Sequence, residues 1–147
     1  MAHTKRVGVY ELSVRRIGAV CEAATVTGPA DAHVVISSLT ADKAVEHFVV
    51  VFLDARNHVS GAQTVSVGSL NSSIVHPREV FRLAIEHGAA SIILGHNHPS
   101  GDTTPSSDDI QLTTRLAKAG ELLGIAVMDH VIIGSEGYLS FKERGIM

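Results

Sequence analysis

The chain has 147 residues, 45% of them apolar, with a formal net charge of −3 and a single cysteine. That length accommodates one self-sufficient core, and the lone Cys21 excludes an intrachain disulfide framework and points to a reducing, cytoplasmic setting. The acidic balance argues against sequence-independent nucleic-acid binding; the N-terminus shows no signal-peptide h-region, and no apolar run is long enough to cross a bilayer.

In chain order, the alternation of Val7, Val9, Glu11 and Ser13 with Tyr10, Leu12 and Val14 predicts a half-buried strand over 7–15. Residues 16–28 are weakly patterned. Pro29 opens a helix running to about Leu39, and Thr40 is a candidate N-cap for a further short helical turn. His47 to Leu53 is a dense β-branched and aromatic run, which predicts a buried strand. Asp54–His58 reads as a turn, and Val59–Val67 as the returning strand of a hairpin. Ser72 and Ser73 fall in a connection. Pro77 begins a second helix whose Val80, Phe81, Ala84 and Ile85 share one face, with Gly88 at its end. Ser91–Leu94 predicts another buried strand, followed by a polar loop from His96 to Pro105. A long helix is expected from Ser107 to Leu123, with a stripe of Leu112, Leu116, Ala119 and Leu123 and with Gly124 as its cap. Ile125–Ile133 and Tyr138–Phe141 make a last hairpin across Gly134–Gly137. No repeat or linker interrupts the series, and strands and helices mix without a strict βαβ rhythm. A mixed sheet with helices packed on it is the expected α/β architecture.

The chemistry concentrates between His96 and Asp109. In extended chain, residues i and i+2 point the same way, so His96 and His98 present two imidazoles together while Asn97 faces away. Two imidazoles need a third ligand, with water in the fourth position of a catalytic tetrahedron. Asp109, eleven residues on and in the first turn of the next helix, can be folded back by the Gly101–Pro105 loop. Taken alone, Asp109 has a simpler reading, since Ser106 and Asp109 also make a capping box, and acidic residues favour helix starts through the dipole. A lone His96 or His98 is likewise an ordinary surface or hydrogen-bonded histidine. Together they point to one divalent ion, Zn2+, per chain.

This pattern, His96-x-His98, seven residues, Ser106, two residues, Asp109, resembles the zinc motif of the JAMM/MPN metallopeptidase superfamily. Its flanks are similar to the bacterial RadC-like branch: His76-Pro77-Arg78-Glu79-Val80, Gly95-His96-Asn97-His98-Pro99-Ser100-Gly101-Asp102, Asp129-His130 and Lys142-Glu143-Arg144-Gly145. The resemblance spans about residues 30–147, leaving 1–29 as an N-terminal strand or extension. Longer relatives carry a helix-hairpin-helix region ahead of this domain, which the length here does not accommodate, so a stand-alone domain is expected. The fold implied is α+β of the cytidine-deaminase-like type, a curved mixed sheet flanked by helices. The resemblance implies His96, His98 and Asp109 as metal ligands, Ser106 as a stabiliser of the oxyanion, and Glu46, just before the His47–Leu53 strand, as the base that takes a proton from the attacking water. His130 is expected to be structural or to support the ligands. Arg78, Arg82, Arg115 and Lys118 read as solvated helix faces rather than as a basic rim for an acidic substrate.

The function implied is a zinc-dependent peptidase or isopeptidase acting on a peptide or isopeptide substrate. The alternative is a nucleic-acid-processing or nucleic-acid-binding role with a DNA-repair partner, as the branch's name suggests. No membrane partner is expected. A third reading is a scaffold that keeps the fold without activity, against which the complete ligand set argues. The sequence does not specify substrate or oligomeric state, since a fold and a site do not specify the partner.

Overall fold

A computed structural model describes residues 6–19, 25–70 and 74–147. The elements are α1 (Pro29–Thr40), β1 (His47–Leu53), β2 (Val59–Val67), α2 (Pro77–Glu86), β3 (Ser91–Asn97), α3 (Ser107–Leu123), β4 (Ala126–Gly134) and β5 (Gly137–Ser140). The five strands form one sheet in the order β2-β1-β3-β4-β5. Only β3 and β4 are parallel, joined by a crossover through α3, and the other neighbours are antiparallel. The mixed sheet and flanking helices are the α+β arrangement expected from the sequence.

Strand parity divides the core into two layers. On one face, Val49, Val51 and Leu53 of β1, Ile93 of β3 and Val131 and Ile133 of β4 pack under Ala32, Val35 and Ile36 of α1. On the other face, Phe48, Val50 and Phe52 of β1 and Ile92 and Leu94 of β3 meet α2 and α3 through Val80, Phe81, Ala84, Leu112 and Leu116. Both faces of β1 and β3 are covered, which is why these strands read as continuous apolar runs rather than as alternations. At Gly95 a Cβ would lie 2.6 Å from Ile36 Cδ1, so α1 approaches the sheet where β3 has no side chain.

A bulge in β4 aims the next residues. Ile92 pairs with Val127 but Ile93 pairs with Asp129, so Met128 is the extra residue. Before the bulge Val127 packs on the α2/α3 layer; after it Val131 and Ile133 pack on the α1 layer. The change of parity turns His130 toward α3.

Three expectations are corrected. Residues 7–15 form no strand: Val9 is 97% exposed and Tyr10 88%. Alternation specifies a strand only where a sheet edge pairs with it, and among the described residues no sheet strand pairs with this segment. Thr40 does not cap a further turn; it is the last residue of α1, buried, and its hydroxyl donates to the Ile36 carbonyl at 2.8 Å. The β3 strand also continues past Leu94 to Asn97, which places His96 in the sheet rather than in a loop. The connection at Ser72 and Ser73, and Cys21, lie outside the described residues.

Candidate metal centre

His96 and Asn97 end β3, and His98 follows immediately. Register pairs His96 with Phe48 of β1 and with Ile132 of β4, so its ring lies over the middle of the sheet and is completely buried. His98 leaves the sheet but stays anchored to it, its amide donating to the Ile133 carbonyl at 2.9 Å. The loop then folds back on itself: Gly101 N donates to the His98 carbonyl at 2.9 Å, and Ser135 N donates to the Gly101 carbonyl at 3.1 Å. Gly101 has φ of +87°, and Gly134 beneath it has no room for a Cβ, which would collide with the Gly101 carbonyl. These two glycines seat the His98 loop on the end of β4.

Helix α3 supplies the carboxylate. Ser106 is its N-cap and accepts from Asp109 N at 3.0 Å, while Asp109 Oδ2 accepts from Ser106 N at 2.8 Å, a complete capping box. The same carboxylate faces the histidines, with Oδ1 3.3 Å from His96 Nε2 and Oδ2 3.3 Å from His98 Nε2. The two Nε2 atoms are 2.9 Å apart. Capping and facing the imidazoles are therefore two simultaneous uses of one side chain.

These separations fit a small ion. A tetrahedral ion with ligands at ~2.0–2.1 Å sets them about 3.3–3.4 Å apart; here the two Nε2 atoms are 2.9 Å apart, and each lies 3.3 Å from a different oxygen of Asp109. Donor chemistry agrees. His98 Nδ1 lies 2.7 Å from the Asp102 carbonyl, which can only accept, so His98 carries a hydrogen on Nδ1, and in its neutral form its lone pair is on Nε2. Lone pairs converging at this distance repel unless a proton or a cation lies among them, so His96, His98 and Asp109 can hold a metal ion. His98 retains 12% side-chain exposure against none for His96, so the site opens to solvent on the His98 side.

The electrostatics are those of a site poised between proton and metal. The hydrogen bond with Asp109 raises the His98 imidazole above its ordinary range against the effect of burial, helped by the Asp102 carbonyl and by the charges of Asp109 and Glu46. Burial pushes the Asp109 carboxyl up, but the His96 and His98 imidazoles, when protonated toward it, the charge His96 then carries and the Ser106 amide together hold it far below the usual carboxylate range. Burial, followed by the charge on His96, drives the His130 imidazole well below its ordinary value and keeps it neutral.

Glu46 is half-buried at the entrance to β1 and close enough for its charge to act on His98. Its carboxylate Oε2 accepts from Leu70 N at 2.6 Å, and its carbonyl accepts from Gly68 N at 2.8 Å. Asn97 clamps the segment from the other side: its Oδ1 accepts from His47 N at 2.7 Å and its Nδ2 donates to the Val45 carbonyl at 3.1 Å. The residue between the two histidines thus holds the residues flanking Glu46. Ser106 is exposed, and its hydroxyl oxygen accepts from Asp109 N, which leaves its proton to donate outward. Asp102 folds the loop, its Oδ1 accepting from the Thr104 amide and hydroxyl at 2.9 and 2.8 Å. Arg78 and Arg82 both pair with Glu79 on the surface of α2 and form no rim at the centre.

Sequence reasoning missed what Asn97 and Thr113 hold. Asn97 reads as a residue facing away from the pair or orienting its own loop through a turn hydrogen bond, whereas its partners lie 50 and 52 positions earlier. Thr113 carries no motif signal; its spacing of one helical turn from Asp109 is the only hint, and it becomes informative once His130 is known to face α3.

The family model described as "RadC-like JAB domain" matches residues 26–146. A UPF0758 protein of Desulfitobacterium hafniense is 62% identical over 102 residues, covering 69% of this chain and 45% of that protein. A UPF0758 protein of Listeria monocytogenes serotype 4b is 53% identical over 144 residues, 97% of this chain and 64% of its own length. One from Rubrobacter xylanophilus is 52% identical over 122 residues, 83% of this chain and 53% of its own. The chain spans about half the length of the curated relatives it matches.

Proposed function

The chain belongs to the family of RadC-like JAB domains, and on that premise we propose that it is a zinc-dependent hydrolase of the peptidase or isopeptidase type. The observation that carries this reading is the convergence of His96, His98 and Asp109 beside an opening to solvent, with the two Nε2 atoms 2.9 Å apart and each 3.3 Å from one of the two oxygens of Asp109. Two imidazoles and one carboxylate in tetrahedral spacing suit zinc, and three protein ligands with an open fourth position mark a catalytic rather than a structural site.

When bound, the ion would supply Lewis acidity, polarising a scissile carbonyl and making water acidic enough to attack at neutral pH. The remaining work falls to this chain. Glu46, held by Leu70 N and by the Asn97 clamp on either side of it, takes the proton from the attacking water and returns it to the leaving amine. Ser106, whose oxygen is engaged by Asp109 N, directs its hydroxyl proton at the oxyanion of the tetrahedral intermediate. His98 and Asp102 fix the open edge of the site, and buried His96 fixes its floor.

Metal analysis of purified wild type, His96→Ala and Glu46→Gln, together with cleavage of quenched-fluorescence peptide and isopeptide substrates, tests the reading. About one zinc per chain, lost in His96→Ala and kept in Glu46→Gln, with cleavage lost in both variants, is the expected result. Absence of zinc from the wild type after reconstitution overturns it.

A further inference from the structure

His130 faces the metal centre without belonging to it. Its ring is fully buried, stacked on Phe141 at 4.6 Å between centroids and met edge-on by Phe48 at 5.8 Å, so its plane is fixed. Its Nε2 lies 2.7 Å from His96 Nδ1 and its Nδ1 lies 2.6 Å from Thr113 Oγ1. Thr113 has one hydroxyl hydrogen, and it donates that hydrogen to the Asp109 carbonyl at 2.7 Å, where only acceptance is available. Toward His130 the Thr113 oxygen therefore accepts, and His130 Nδ1 carries the hydrogen. A neutral imidazole protonated there presents its lone pair at Nε2, so His96 must donate from Nδ1. His96 is left with its own lone pair on Nε2, the atom that faces His98 and Asp109.

We propose that Thr113 and His130 are positioning residues that lock His96 in its Nδ1–H tautomer, so that Nε2 is ready to bind a metal before any ion arrives. The relay begins at one ligand and ends at another, running from His96 through His130 and Thr113 to the Asp109 carbonyl. It ties β3 to the first turns of α3 by directed hydrogen bonds. The opposite tautomer would aim an N–H at the metal position and block it. His98 obtains the same result from a backbone carbonyl, Asp102, because it lies in a loop. His96 sits inside the sheet, where the neighbouring carbonyls are engaged by strand pairing, so a side-chain chain does the job instead. The β4 bulge is what makes this geometry available, since without the parity change His130 would face α1. The proposal rests on His96, His98 and Asp109 being metal ligands, but not on what the loaded site cleaves.

Nitrogen NMR of the metal-free full chain, with labelled histidine at alkaline pH, reads the tautomer directly. Zinc titration against a competing chelator reads the affinity. In wild type, His96 is expected to be protonated at Nδ1 and bare at Nε2. Thr113→Val keeps the side-chain shape and removes the relay's hydroxyl. It should populate the Nε2–H form of His96 and weaken zinc binding about 10–100-fold, and Thr113→Ser should restore both. A merely structural role for Thr113 would lower the melting temperature of the Val variant without moving the His96 nitrogen shifts. Wild-type His96 protonated at Nε2, or a Val variant with wild-type shifts and affinity, would overturn the relay. A wild type that binds no zinc yet shows Nδ1–H at His96 would instead overturn the ligand reading.

Discussion

Replacing Asp109 by Asn, and separately Ser106 by Ala, divides two jobs that the α3 start performs at once. Asn at position 109 keeps an acceptor for the Ser106 amide, so most of the capping box survives. It loses the charge that faces both Nε2 atoms. Ala at position 106 removes the oxygen that accepts from Asp109 N but leaves the carboxylate in place. Loss of an N-cap costs about 1 kcal/mol, which in a domain of this size lowers Tm by roughly 2–4 °C. Zinc at a hundred times its Kd stabilises the native state by about 2.7 kcal/mol, a rise in Tm of roughly 5–11 °C on the same scale. Differential scanning fluorimetry with and without zinc should therefore show a crossed pattern. Ser106→Ala lowers the metal-free Tm by a few degrees and keeps most of the zinc shift. Asp109→Asn changes the metal-free Tm less than the zinc shift, and loses most of that shift. Retention of the full zinc shift in Asp109→Asn refutes Asp109 as a ligand, and the capping role then accounts for the residue by itself.

Glu46→Gln should leave the zinc shift in place and reduce peptide cleavage about 10²–10⁴-fold, the usual contribution of a positioned acid–base group; loss of zinc in this variant would show that Glu46 belongs to the ligand set instead. The zinc shift should also grow with pH. His98 is raised in the folded state, so its contribution to metal-free stability is present below its unfolded value of ~6.5 and is lost as pH rises through the higher folded value, while zinc must displace that same proton. Fluorimetry between about pH 5.5 and 8.5 should thus show a rising shift, and a flat profile would contradict the His98 assignment. Gly134→Ala sets a Cβ against the Gly101 carbonyl and 2.5 Å from Thr103 Cγ2, so calorimetric titration should show weakened zinc binding through a displaced His98 loop. Gly95→Ala drives a methyl into Ile36 on the opposite face and should cost about 1–3 kcal/mol in chemical denaturation.

The fold was most legible where a single local rule decided the outcome. Pro29, Pro77 and Ser106 mark the helix starts, and the β-branched run at His47–Leu53 marks a central strand because both its faces are buried. The grouping of His96, His98 and Asp109 was legible because a His-x-His pair and a Ser-x-x-Asp start are short patterns separated by one loop. Legibility failed where long-range pairing decides. Residues 7–15 alternate well, but among the described residues no sheet edge receives them. The single extra residue at Met128 sets which face His130 occupies, and nothing in the local sequence announces it. The Asn97 clamp depends on β1 lying beside β3, which is a fact of topology rather than of spacing.

The same comparison bears on how the site is built. Each group that faces the metal position is held by something other than an ion: His96 by β3 and by His130, His98 by Ile133 and Asp102, and Asp109 by the cap of α3. The two apolar layers are built from other residues, and Phe48 of one of them borders the His96 ring. A small metal-dependent domain behaves differently, because there the ion supplies the folding energy and chelation unfolds the chain. Here the scaffold holds the two Nε2 atoms 2.9 Å apart and each 3.3 Å from an oxygen of Asp109. Little binding energy then goes into ordering the site, and metal removal should leave a folded protein that has lost the zinc increment alone.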